Sequence, residues 1–130
     1  MAASVRKLSD EPIAIIHIEV PGDRNLASLR AVEVQVNQIV RETGDPLYCV
    51  LDGRSLEPSY SDVLLWLDDH QQAYPSPITN PHIRLVVVGT HPMLATAVQK
   101  VRQFFKTDVP LFTTLDEALA FIRGEIDTVL

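Results

Sequence analysis

The run "IRLVVVG", Ile83 to Gly89, constrains this chain more than any other stretch. Apart from Arg84 its residues are apolar one after another, so a strand here has two apolar faces. Alternate side chains of a strand point to opposite sides, and a strand apolar on both sides must be covered on both. That is the pattern of a central parallel strand with helices packed over each face. The proline-rich "PSPITNPH" before it reads as a loop, and Gly89 closes it.

The rest of the chain supplies the helices and the neighbouring strands. "PIAIIHIEVPG" is rich in β-branched residues and closes with Pro21-Gly22, predicting a strand from about Ile13 to Val20. "SVRKL" ahead of it reads as an edge strand joined through the turn "SDEP". In "NLASLRAVEVQVNQIVRETGD", Leu26, Leu29, Val32 or Glu33, Val36, Ile39 and Val40 recur at helical spacing, with Asn25 as N-cap and Gly44 as stop. "LYCVLD" is the next strand, and "SDVLLWLDDHQQAY" the second helix. "HPMLATAVQKVRQFFK" is the third, with Met93, Ala97, Val101 and Phe104 on one face and Thr90 as cap. That register makes Phe104 more buried than Phe105. "VPLF" is a short last strand, and "TLDEALAFIRG" a last helix opened by the capping box Thr114-x-x-Glu117 and ended by Gly124. Alternating strands and helices predict an α/β domain spanning residues 1–130, with a mostly parallel sheet of four to five strands and four helices.

Composition narrows the function classes. A hydrophobic share of 46% is enough for one core. The formal charge of −6, from 17 acids against 11 Lys and Arg, argues against nucleic acid as a partner. No run approaches the roughly 18 apolar residues of a membrane span, and the opening "MAASVRKLSDEP" has no apolar signal core, so a cytoplasmic setting is expected. Cys49 is the single cysteine and sits in an apolar strand, which points to core packing over reactivity.

Ligands of open α/β sheets gather at the C-terminal ends of the strands. Here those ends are Pro21–Asn25, Asp52–Asp62, Gly89–Pro92 and Phe112–Thr114. Gly89, Thr90 and His91 before a helix make a possible anion site. The glycine spacing of dinucleotide or phosphate-loop motifs is absent. His17, His70, His82 and His91 show no helical metal-ligand spacing, so neither a metal nor another cofactor is expected. No serine stands in a nucleophile elbow, and Asp68 and Asp69, adjacent on a helix, do not face each other. Glu19 and Asp23 are poorly placed for the acidic pair of a receiver domain. No acid, base and nucleophile converge, so an enzyme is not expected.

The junction "LDGRSLEPSYSDVLLWL" is the densest cluster of polar groups at a strand end. It carries Asp52, Glu57 and Asp62 with Ser55, Ser59 and Ser61. Ser59 or Ser61 can cap the second helix, and Asp62 suits its first turn. Val63, Leu64 and Leu67 are expected to form the buried face. Leu65 and Trp66 fall beyond it; Trp66 is more commonly core at such a place, and if exposed the two form a partner patch or the centre of a homodimer.

The element order, the "VLDGRSL…SYSDVLLWL" junction and the closing "VPLFTTLDEALAFI" resemble the STAS domains, the fold of the anti-sigma-factor antagonists of sporulation. The closer resemblance is to the SpoIIAA-like branch, whose members also close with a helix like that of Asp116 to Leu119. The likeness covers nearly the whole chain and implies a bacterial regulatory module. The family's switch motif, Asp-Ser-Ser-Gly-Leu, falls here on Tyr60, Ser61, Asp62, Val63 and Leu64. Ser61 matches the first serine. Asp62 replaces the second, which is phosphorylated in the antagonists, Tyr60 replaces the acid, and Val63 the glycine. The resemblance therefore implies the module without the serine its switch would use.

The expected function is a non-catalytic regulatory, protein-binding module. It would act through the junction 52–66, with Asp52, Ser55, Ser59, Ser61, Asp62 and Trp66 as its residues. The alternative from another class is a carrier or sensor of a small apolar or lipid-like ligand held between the helices. A deep apolar pocket would favour the carrier, and an exposed patch around Trp66 the partner surface.

Overall fold

The computed structural model describes residues 4–8, 13–20, 27–72, 78 and 80–129. Five strands form one sheet in the spatial order of the chain: β1 (Ser4–Leu8), β2 (Ala14–Glu19), β3 (Leu47–Asp52), β4 (Ile83–Val88) and β5 (Leu111–Phe112). β1 is the antiparallel edge, with Ser4 opposite Glu19 and Leu8 opposite Ile15. Every other pairing is parallel. The helices are α1 (Ala27–Thr43), α2 (Tyr60–Gln72), α3 (Pro92–Phe105) and α4 (Leu115–Val129). Asn25, the "SDEP" turn, Pro21–Asn25 and the end of "HQQAY" lie outside the described residues.

The period-two alternation of the strands divides the core between two faces. Ile16, Ile18, Cys49, Leu51, Leu85 and Val87 face α1, α2 and α3 and pack with Val36, Val40, Val63, Leu67, Ala97 and Val101. Ile15, Tyr48, Val50, Val86 and Val88 face α4 and pack with Ala118, Ile122 and Ile126. β4 is thus covered on both sides, as its apolar run requires. Cys49 is fully buried and free, and burial pushes its thiol pKa well up, in keeping with a packing role.

The helix ends mostly follow local chemistry, and one helix end and one helix register here depart from expectation. Gly44 ends α1 in the left-handed region at φ 72°, donating its N–H to Val40 O at 2.7 Å. Gly124, expected to end α4, lies inside it. A helical glycine costs about 1 kcal/mol relative to alanine. Ile122 and Ile126, on either side of it and both buried, offset that cost. Thr114 opens α4 as expected, its hydroxyl accepting from Glu117 N at 3.1 Å and donating to Glu117 Oε1 at 3.0 Å. The second departure is the register of α3. Its buried stripe runs Leu94, Ala97, Val101 and on to Phe105, which packs on the core, while Phe104 is 55% exposed. Phe105 stands four residues beyond Val101, as Val101 stands four beyond Ala97, and Phe104 falls to the solvent side of that line.

Candidate functional site

The C-terminal edge of the parallel strands begins each connection in the same way. Val20 N donates to Asp52 O at 3.0 Å, Gly53 N to Val88 O at 2.8 Å, and Gly89 N to Phe112 O at 2.8 Å. Each post-strand residue is thereby tied to the last residue of the next strand.

At the β3 end the side chain of Asp52 turns to the α4 side of the sheet, where it is 2% exposed. Its Oδ2 lies 2.9 Å from Nε2 of His17, itself buried on β2. Arg54 grips the same carboxylate twice, Nε to Oδ1 at 2.8 Å and a terminal nitrogen to Oδ2 at 2.7 Å. Its backbone N–H donates to Oδ1 at 3.3 Å. Burial alone favours the neutral acid, but the hydrogen bonds from Arg54 and then His17 outweigh it, and the carboxyl is held below its usual range. With Asp52 ionised, His17 Nε2 must carry the proton it shares. The pair spans 35 residues of sequence. The chain shows no local signal for it, because it depends on the register of β2 against β3.

The serines stand elsewhere. The chain turns at Gly53, where Leu56 N donates to Gly53 O at 3.0 Å, and buries Leu56 and Pro58. α2 then starts on the side of the sheet opposite the Asp52 side chain. Ser59 is its cap. Asp62 N donates to Ser59 Oγ at 3.1 Å, and Ser59 N donates back to Asp62 Oδ2 at 2.8 Å. Ser55 and Ser61 are exposed. Of the junction residues, the structure brings Ser59 and Asp62 together and separates both from Asp52.

Trp66 is buried at 7% exposure, and so is not the exposed residue of a docking patch. Its ring meets His70 edge-on at 4.8 Å between centroids, and His70 Nε2 contacts the Glu33 carboxylate of α1. Leu64, expected to face the core, is 43% exposed instead. Val63, Trp66, Leu67 and His70 form the buried face, at spacings of three, one and three, and that leaves Leu64 and Leu65 outside. Among the described residues the exposed large apolar side chains are Tyr60, Leu64 and Leu65 on α2, Phe104 on α3 and, apart from these, Val34 on α1. Lys100 bridges the helices, its ammonium 6.0 Å from the Tyr60 ring centre and 5.9 Å from that of Phe104.

Between α2, α3 and the sheet lies an apolar cavity of about 30 Å³, lined by residues such as Leu51, Leu56, Trp66 and Leu94. That volume suits one water-sized guest. A lipid-like ligand does not fit it, and the carrier reading gains no support.

At the β4 end, His91 caps α3 in place of Thr90, its Nδ1 accepting from Met93 N at 3.1 Å. Leu94 N donates to His91 O at 2.9 Å, and Pro92 has no N–H. Gly89 N is already bonded to Phe112 O. Of the Gly89–Thr90–His91 donors, Gly89 N is thus engaged within the protein, as are Met93 N and Leu94 N in the first turn of α3. Among the described residues no cluster of His, Cys, Asp or Glu could hold a metal ion, and no helix is long and apolar enough to cross a membrane.

No family model matches the sequence, and no curated protein matches it. Solved structures do. One is an uncharacterized protein of the DUF3478 family with a SpoIIAA-like fold from Shewanella loihica PV-4. It matches with a TM-score of 0.63 at 10% identity over 92% of this chain and 93% of that one. Another is an anti-sigma factor antagonist from Mycobacterium paratuberculosis, with a TM-score of 0.51 at 17% identity over 94% and 95% of the two chains. The chain has a STAS-like, SpoIIAA-like α/β fold.

Proposed function

We propose that this SpoIIAA-like fold is a non-catalytic regulatory module that docks a cytoplasmic protein partner on α2 and the adjoining face of α3. The observation that carries the reading is the exposed set of Tyr60, Leu64 and Leu65 on α2 and Phe104 on α3. Three large apolar side chains exposed on α2 and one on the neighbouring α3, with Lys100 lying over the rings of Tyr60 and Phe104, are the raw material of an interface core. The likeness to an anti-sigma factor antagonist adds a regulatory precedent for the fold.

In this reading the junction 52–66 positions the surface and is not a phosphoserine switch. The Ser59 hydroxyl is already spent as the cap of α2. A phosphate on Ser55, Ser59 or Ser61 would add a charge near −2 beside Glu57 and Asp62, with Arg54 committed to Asp52. Asp62 supplies a fixed negative charge at the helix start instead.

The test is to cross-link the full chain in its own cells, identify the protein captured, and measure its affinity for purified wild type, Leu65→Glu and Phe104→Ser. Both side chains are exposed, so melting temperatures should hold while affinity falls at least about tenfold. Unchanged affinity for both variants would remove the surface from the function. Stoichiometric phosphate on Ser55, Ser59 or Ser61, read by mass spectrometry from the same cells, would restore the switch.

A further inference from the structure

The charges around this surface indicate what kind of partner it takes. Along Tyr60–Gln72, α2 carries Asp62, Asp68 and Asp69 and no Lys or Arg. Asp62 precedes Leu65 by three residues, and Asp68 follows Leu64 by four and Leu65 by three, so helical geometry sets both carboxylates beside the exposed leucines. Glu57 stands exposed just ahead of Tyr60. The α3 side is basic instead, with Lys100 over the rings of Tyr60 and Phe104 and with Arg102 and Lys106 exposed two residues to either side of Phe104, so the acidic rim belongs to α2.

We propose that the occupant is a cationic segment of another protein, with apolar side chains at its centre and Lys or Arg at its flanks. The inference rests on the docking reading above and adds the chemistry of the partner. Apolar anchors would seat on Leu64 and Leu65, and the flanking cations would meet Glu57, Asp62 and Asp68. Charges at the rim of an interface govern partner choice and association rate more than the affinity of the anchors. A second copy of this chain fits poorly. A two-fold contact centred on the leucines would set Asp62 and Asp68 of each copy against the same residues of the other, and each chain carries −6.

Two synthetic amphipathic peptides test this. They share one leucine face and differ only in carrying Lys or Glu on the flanks. Each is titrated into the isotope-labelled full chain and followed by amide chemical shifts. The Lys peptide should move Tyr60, Leu64, Leu65 and Phe104 and bind about tenfold tighter than the Glu peptide, a margin that shrinks in roughly 0.5 M salt. Glu57→Gln combined with Asp68→Asn should remove most of the margin without touching the Ser59–Asp62 cap, and Asp127→Asn on α4 should leave it intact. Equal binding of the two peptides at the patch would overturn the charge inference and leave the docking reading standing. So would a margin insensitive to Glu57→Gln and Asp68→Asn. Self-association in sedimentation that Leu65→Glu abolishes would assign the patch to a second copy. Shifts from neither peptide at these residues would overturn both readings.

Discussion

The corners after β3 and β4 leave the same edge of the sheet, and each opens with a glycine donating to the next strand. They then diverge. After Gly53 the chain makes a turn, buries Leu56 and Pro58, and enters α2 through the reciprocal Ser59–Asp62 cap. After Gly89 it passes almost directly into α3 through His91 and Pro92. The first corner fastens a buried carboxylate to one face of the sheet and projects an apolar helix surface on the other. The second ties Gly89 N to Phe112 O and Met93 N to the His91 ring. Position at a strand end alone therefore does not make a ligand site. The length of the connection, and what its N–H groups already bind, decide between the two.

The sharpest way to break the comparison is to remove the anchor of the first corner. Asp52→Ala leaves His17 buried without its carboxylate and frees Arg54. The expected loss is about 2–3 kcal/mol in chemical denaturation, the cost of leaving the buried His17 ring nitrogen without its acceptor together with the lost charge-assisted hydrogen bonds of Arg54. A loss under about 1 kcal/mol would mean that the corner does not depend on this contact. The pH dependence follows with a definite sign. The Asp52 pKa is lower folded than unfolded. Its contribution is therefore present above the unfolded value of about 3.9 and fades as pH falls through the lower, folded value. Wild type should lose stability steeply below about pH 4. Asp52→Asn should begin less stable and flatten that acid limb.

The two glycines sharpen the contrast at the next level of effect. A Cβ on Gly89 would lie 2.1 Å from Leu94 Cδ1, and Leu94 is itself buried. Gly89→Ala should cost about 1–3 kcal/mol through overpacking. At Gly53 the nearest atoms to a Cβ are Leu56 Cδ1 at 3.2 Å and Val88 O at 3.4 Å. A small shift of Leu56 accommodates that, so Gly53→Ala should cost less than Gly89→Ala in the same denaturation series. The reverse order would show that the β3 corner, with its longer connection, is the more tightly packed of the two.

Much of this architecture is legible in the residues, and the misses share a cause. The doubly apolar β4, the alternation of strands with helices, and the capping boxes at Ser59 and Thr114 depend on neighbours within a few positions. The His17–Asp52 contact depends on how two parallel strands align, which no local pattern encodes. Phe104 and Phe105 are adjacent aromatics at the end of a helix, so a small error in the assumed stripe exchanges them. Leu64, expected in the core, lies outside for the same reason, and Trp66 takes the buried place. α2 is apolar around much of its circumference, and the larger indole takes the core position while two leucines remain outside. Gly124 carries a stop signal that the burial of Ile126 overrides.

A smaller effect separates the two caps. Ser59→Ala removes the acceptor of Asp62 N and leaves Asp62 to bond Ser59 N alone, so a loss of about 1 kcal/mol is expected. Leu65→Glu in the same background should add little to that loss, because one change acts on the cap and the other on an exposed site.

His91→Asp is the finest test of the second corner, and its sign is opposite. His91 already has the extended backbone of a cap, with φ −65° and ψ 134°, and offers one ring nitrogen to Met93 N. α3 has no acidic residue in its first turn, so the positive end of its dipole is not met by a local charge. A carboxylate at the same position accepts the same N–H and adds that charge, for an expected gain of about 0.3–1 kcal/mol. Inorganic phosphate, in parallel, should leave the melting temperature of the wild type unchanged, because Pro92 donates nothing and Gly89 and Met93 donate within the protein. If phosphate raised the melting temperature and His91→Asp abolished the rise, the β4 corner would be an anion site. The contrast between the two corners would then lie in which ligand each accepts.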